Sequence, residues 1–183
     1  MKENEAWFAL ATSYCRELII KKHFDDIKFK NFVPMKSEYI EVNGKPKLKW
    51  VPAIHNLVFV HSTRKQLQDI KKDLEGSTCT FRWMIDYANG QPIIVPDRQM
   101  EYFMKICESG EEGLQFFDDN EQQTFKKGDY VQVTAGPFAG VEGYLVRIKK
   151  SRCVFVAVKG VAAVATTYIN PSLLHKIEEP ESK

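Results

Sequence analysis

The chain has 183 residues, of which 44% are hydrophobic and 27% charged, and its formal net charge is +2. That share of apolar side chain can offset the entropy of folding, which excludes a fully disordered chain. No run reaches the roughly 18 apolar residues that a membrane-spanning helix needs, and Met1-Lys-Glu-Asn-Glu with its short apolar patch does not read as a secretory signal.

A cytoplasmic protein without a membrane partner is therefore expected. Cys15, Cys79, Cys107 and Cys153 form no Cys-x-x-Cys pair, so four reduced thiols are expected. His23, His55, His61 and His175 are dispersed, and no spacing points to a metal or another cofactor.

Charge is uneven. Residues 1–110 hold 17 Lys and Arg against 14 Asp and Glu. Residues 111–123 hold five acids and no base, and residues 124–183 hold nine bases against five acids. Two mildly basic blocks joined by an acidic segment predict a domain at 1–110, a linker at 111–123 and a domain at 124–183. Leu114, Phe116 and Phe117 interrupt the acidic segment and suit docking on a neighbour.

In the first block Trp7–Ala11 reads as a strand. Ser13–Phe24 reads as a helix, with Cys15, Leu18 and Ile19 at i, i+3 and i+4 as its apolar stripe. Tyr39, Ile40 and Val42 are strand material, and Lys45–Lys49 is a basic hairpin or loop. Leu57–Val60 is apolar without alternation, as in a central strand covered on both faces. Ser62–Glu75 predicts a second helix, capped by Thr63 with Gln66 three residues later, and with Leu67, Ile70 and Leu74 inward. Thr78–Ile85 is a strand candidate, Asn89-Gly90 a turn, and Ile93–Val95 extended ahead of Pro96. Asp97–Glu108 predicts a third helix that buries Met100, Phe103, Met104 and Cys107. This order fits one α+β domain.

The second block is β throughout. Lys127-Gly-Asp129 is a turn, and Tyr130–Thr134 a strand. Ala135–Gly140 is a tight connection, where glycine supplies positive φ and proline sets the corner. Val141–Ile148, Cys153–Val158 and Ala163–Ile169 are further strands. Short strands with glycine turns predict a small closed or nearly closed barrel.

The pattern Gly128-Asp129-x-Val131-x-Val133-x-x-Gly136-Pro137-Phe138-x-Gly140-x-x-Gly143 resembles the KOW motif of the bacterial NusG transcription elongation factor family. Trp7-Phe8, Phe32-Val-Pro34, Pro52–Val60 and Pro92–Asp97 resemble that family's NGN domain. The resemblance covers nearly the whole chain. It implies an antiparallel sheet with helices, then a KOW, SH3-like barrel. It also implies a non-enzymatic antitermination or elongation regulator that grips the clamp helices of the largest RNA polymerase subunit and suppresses pausing or termination. Such a factor is cytoplasmic and reaches the nucleoid through polymerase. Partners implied for the KOW domain are the ribosome or a termination factor.

By resemblance, the polymerase-binding surface holds Ala9, Ala11, Ile54, His55, Asn56, Leu57 and Phe59. Where family members read aromatic-Pro-Gly-Tyr, this chain reads Ile54-His55-Asn56-Leu57. That favours a specialised RfaH-like or UpxY-like paralogue. Arg16, Lys21, Lys22, Arg64 and Lys65 are candidates for contact with non-template DNA. Val154, Val156, Val158, Val164, Thr166 and Tyr168 favour strands, so a stable barrel and an open binding hollow are expected. No phosphate loop, nucleophile elbow or His-Glu-x-x-His stands in the sequence, and no enzyme is expected. The alternative is an RNA- or ribosome-binding KOW protein without polymerase function.

Overall fold

The structure, a computed structural model, describes residues 4–122, 124 and 126–180. Gln123 of the expected linker, and Phe125 and residues 181–183 of the expected second domain, lie outside them. The chain divides into two compact units, Met1–Met100 and Glu101–Lys183.

The first unit runs β1 (Ala6–Ala11), α1 (Glu17–Asp26), β2 (Asn31–Phe32), β3 (Met35–Val42), β4 (Lys45–Pro52), β5 (Leu57–Ser62), α2 (Arg64–Asp73), β6 (Arg82–Trp83), β7 (Ile85–Asp86), β8 (Gln91–Pro92) and β9 (Ile94–Val95). Strand β1 is central. It pairs antiparallel with β5 along its whole length and with β6 and β9 on its other side, while β2 extends the sheet beyond β5. Because side chains alternate across a strand, Phe8, Leu10, Val58 and Val60 share one face. They meet Ile20 and Phe24 of α1, Leu67 of α2, and Phe81 and Val33 in one hydrophobic cluster. Helix α2 starts as expected: Thr63 accepts from the Gln66 backbone N–H, and the Gln66 side chain returns to the Thr63 backbone.

Helix α1 differs from its reading. It begins at Glu17, after Tyr14 and Cys15 have taken left-handed backbone (φ 57° and 54°). Its inward positions are Glu17, Ile20 and Phe24, whereas Cys15, Leu18 and Ile19 are exposed. The later start rotates the stripe, and the i, i+4 pair Ile20 and Phe24 supplies more buried apolar area than Leu18 and Ile19 would.

Strands β3 and β4 form a two-stranded hairpin of their own, closed by Asn43 and Gly44 with φ of 53° and 72°. Positive φ at both turn residues is the geometry that suits a hairpin twist. The region read as one strand at 78–85 holds only β6 and β7, the latter paired with β8.

Helix α3 (Asp97–Cys107) begins in the first unit, ends in the second, and buries Met100, Phe103, Ile106 and Cys107. The second unit continues with β10 (Gln115–Asp118), α4 (Asp119–Gln122), β11 (Tyr130–Val133), β12 (Glu142–Ile148), β13 (Ser151–Val158), β14 (Ala162–Ala165) and β15 (Leu174–Lys176). They form one antiparallel sheet in the order β10-β14-β13-β12-β11-β15. Val146, Ile148, Cys153, Phe155, Ala163 and Ala165 make its cluster, with Phe117 and Tyr144 packed against it.

Part of the expected linker is therefore a strand. Residues 115–118 pair with 162–165, and the Phe117 ring lies 5.9 Å from that of Phe155. Burying the aromatic side chain outweighs the polarity of its neighbours.

Candidate functional site

Strands β1 and β5 carry most of the sequence-assigned surface. Ala9 lies opposite Phe59 and Ala11 opposite Leu57, all on the sheet face away from Phe8 and Leu10. That face is not open along its length. Ala9, Phe59 and Leu57 are 0%, 0% and 3% exposed, and Ala11 is half-buried. They have the burial of central strands covered on both sides.

The accessible part is the turn between β4 and β5. Ile54 and Asn56 are half-buried, and His55 keeps 66% of its side chain exposed. Asn56 has φ of 60°. Asparagine tolerates this left-handed region better than other non-glycine residues. Its Oδ1 accepts the Cys15 backbone N–H at 2.9 Å, and its carbonyl accepts the Thr12 backbone N–H at 2.9 Å.

Beneath the turn lies Glu17, a carboxylate only 1% exposed. Its Oε2 accepts the Asn56 backbone N–H at 3.2 Å, and its Oε1 is 3.3 Å from His55 Nδ1. A buried polar group needs such partners. Glu17 thus ties the turn to the start of α1. Sequence reasoning missed it, because an acid at the first helical position reads as a solvated end. Cys15, Glu17 and His55 each bring one ligand atom within 4.8 Å of the others. They are the one such metal-capable group among the described residues.

Three of the five assigned bases have separate neighbours. Arg16 donates to the Thr78 carbonyl at 2.8 Å and lies over the Tyr14 ring, and Arg64 donates to Gln91 Oε1 at 3.2 Å. Lys21 pairs with Asp25 at 2.9 Å. That bond, with one from Asn31, holds the Asp25 carboxyl below its usual range. Lys22 and Lys65 are exposed. Their helices α1 and α2 pack on the same sheet face, through Ile20, Phe24 and Leu67.

The glycine-rich stretch of the second unit is architectural. Gly143 pairs with Val131, and a Cβ there would stand 2.5 Å from the Phe155 carbonyl oxygen. Gly128 is as tight, since its Cβ would meet the Leu145 carbonyl oxygen at 2.7 Å. Gly136 and Gly140 turn the connection with φ of 86° and 84°. Val131, Val133 and Phe138 are buried, Pro137 is exposed at the corner, and Asp129 meets Lys176 at 2.8 Å.

Comparison with known families decides the identity. The family model described as transcription termination factor nusG matches residues 5–104, more than half of the chain, and the KOW motif model matches residues 127–159.

The chain belongs to the NusG family.

NusG proteins are transcription factors and not enzymes, and they interact with RNA polymerase. The first unit holds the NusG-type NGN domain, and the all-β part of the second carries the KOW motif. A solved structure titled "Domain interaction in Thermotoga maritima NusG" is similar at 18% identity and a TM-score of 0.48, covering 96% of this chain and 98% of that one. No curated protein matches the chain. Among the described residues no helix is long and apolar enough to cross a membrane.

Proposed function

We propose that this NusG-family chain is a cytoplasmic elongation and antitermination regulator, of the specialised RfaH-like or UpxY-like kind. It docks on the clamp helices of the largest RNA polymerase subunit and suppresses pausing or termination. The reading takes residues 1–110 as the polymerase-binding domain and 124–183 as the KOW domain. One observation carries it: the 53–56 turn leaves His55 exposed and Ile54 partly accessible while Glu17 and Thr12 hold its backbone. A turn held by its own hydrogen bonds, with a partly accessible apolar side chain, can bind reversibly at little ordering cost.

Ala11, Ile54, His55 and Asn56 form the outer part of this surface. Ala9, Leu57 and Phe59 form its floor, and a partner reaches them only by displacing what buries them. Substitution at the floor therefore risks the fold. Ile54→Glu tests binding cleanly. Tagged wild-type protein is expected to bring RNA polymerase from bacterial lysate, and the variant to melt normally and lose at least about tenfold of that recovery, the effect of one interface anchor. Equal recovery removes Ile54 from the surface. Recovery of ribosomes in place of polymerase favours the KOW-module reading.

Arg16, Lys21, Lys22, Arg64 and Lys65 are proposed to flank non-template DNA. Phosphate contact of this kind weakens as salt rises, so affinity for single-stranded DNA that ignores salt counts against it. A ribosome or termination factor at the KOW domain is the remaining partner proposal.

A further inference from the structure

The exposed turn at 53–56 and the start of α1 bring three different ligand types together. Cys15 offers a thiol, Glu17 a carboxylate and His55 an imidazole, with the three ligand atoms within 4.8 Å of one another. We infer that Cys15, Glu17 and His55 form a binding site for a divalent transition metal of the zinc class, which clamps the turn to α1. The inference does not depend on polymerase binding.

The geometry fits. Zinc takes nitrogen and oxygen ligands at about 2.0–2.2 Å, so two such atoms on a tetrahedral centre lie about 3.4 Å apart. His55 Nδ1 and Glu17 Oε1 are 3.3 Å apart. The carboxylate is pre-aimed, because its other oxygen is held by the Asn56 backbone N–H. Such an outer hydrogen bond orients a metal ligand and raises affinity. Cys15 is exposed, so its sulphur can turn to close the remaining distance. The Asn56 Oδ1 contact fixes the Cys15 backbone meanwhile.

Ligand chemistry selects the ion. Calcium and magnesium take oxygen ligands, whereas a mixed sulphur, nitrogen and oxygen set suits zinc and its substitute cobalt. Three protein ligands leave a fourth position for water. On binding, the Cys15 thiol loses its proton to solvent and sulphur bonds the metal as thiolate. The other thiols compete poorly. Cys107 and Cys153 are buried, and desolvation raises the pKa of both and of Cys79.

Cobalt(II) titration of the full chain under reducing conditions tests this. The expected result is one equivalent bound with a thiolate-to-cobalt charge-transfer band, displaced by zinc. Cys15→Ser is expected to abolish the band and Cys79→Ser to keep it. His55→Ala is expected to weaken binding by about tenfold or more, since losing even an outer partner of a metal ligand costs that much. Cys15 is exposed, so Cys15→Ser should melt as wild type does without metal. His55→Ala also removes a partner of the buried Glu17 Oε1, so it is expected to melt somewhat lower and is read by its metal affinity in the folded range. Glu17 is left intact because it also holds the turn. Zinc should raise the melting temperature of wild type and not of Cys15→Ser, since a ligand for the folded form stabilises it. No thiolate band, a band that survives Cys15→Ser, or affinity unchanged in His55→Ala overturns the site.

Discussion

The carboxylate of Glu17 and the backbone of Asn56 form one device. Asn56 occupies the place that glycine holds in the family's aromatic-Pro-Gly-Tyr signature, and it takes the left-handed conformation that such a glycine permits. Its side chain adds what glycine lacks, an acceptor for the Cys15 N–H. Asn56→Ala would lose that bond and replace asparagine by a residue that tolerates the left-handed well less well, at about 1–3 kcal/mol together. Asn56→Gly keeps the backbone freedom and is expected to cost about 1 kcal/mol less than alanine. Urea unfolding of the two variants gives the difference, and equal midpoints would show that backbone conformation is not what the position selects. The turn was legible in the sequence as a departure from family pattern. Glu17 and the Cys15 and His55 pairing were not, because 38 residues separate His55 from Glu17 and only the β1–β5 register brings them together.

Helices and strands were readable where periodicity and burial agree. Leu57–Val60 is apolar and buried at every position, and the glycine spacing of the KOW stretch marks the β11–β12 connection. Helix α1 misled because Leu18 and Ile19 are apolar yet exposed, while the buried ring belongs to Phe24. Strand β10 misled because its neighbours Asp118, Asp119 and Glu121 give the segment a solvated look that hides Phe116 and Phe117. At this scale Gly143 is the sharpest test of the second sheet. The Phe155 carbonyl belongs to the neighbouring strand β13, so neither backbone can yield without breaking the ladder. Gly143→Ala is expected to destabilise by about 1–3 kcal/mol, the usual effect of overpacking. Chemical denaturation checks it, and a variant as stable as wild type would show that the strands separate freely there.

Across the whole molecule, among the described residues, two hydrophobic clusters have no residue in common, one under α1 and α2 and one within the second sheet. The β3–β4 hairpin belongs to neither beyond its first residue, Met35. Residues 41–50 are all exposed, and its two strands pair only with each other. One face carries Tyr39, Leu48 and Trp50, each open to solvent, and the other carries Lys45, Lys47 and Lys49. Two strands without a core are marginal in water, and segments with few buried contacts open locally before the rest. The arm is therefore the place where the chain meets a digestive enzyme first. Trypsin, which cuts after lysine, is expected to nick it at Lys45, Lys47 or Lys49 while both cores remain closed, leaving two fragments that still migrate together until denaturant is added. First cleavage at Lys71 or Lys72 in α2 would instead mean that the arm is braced.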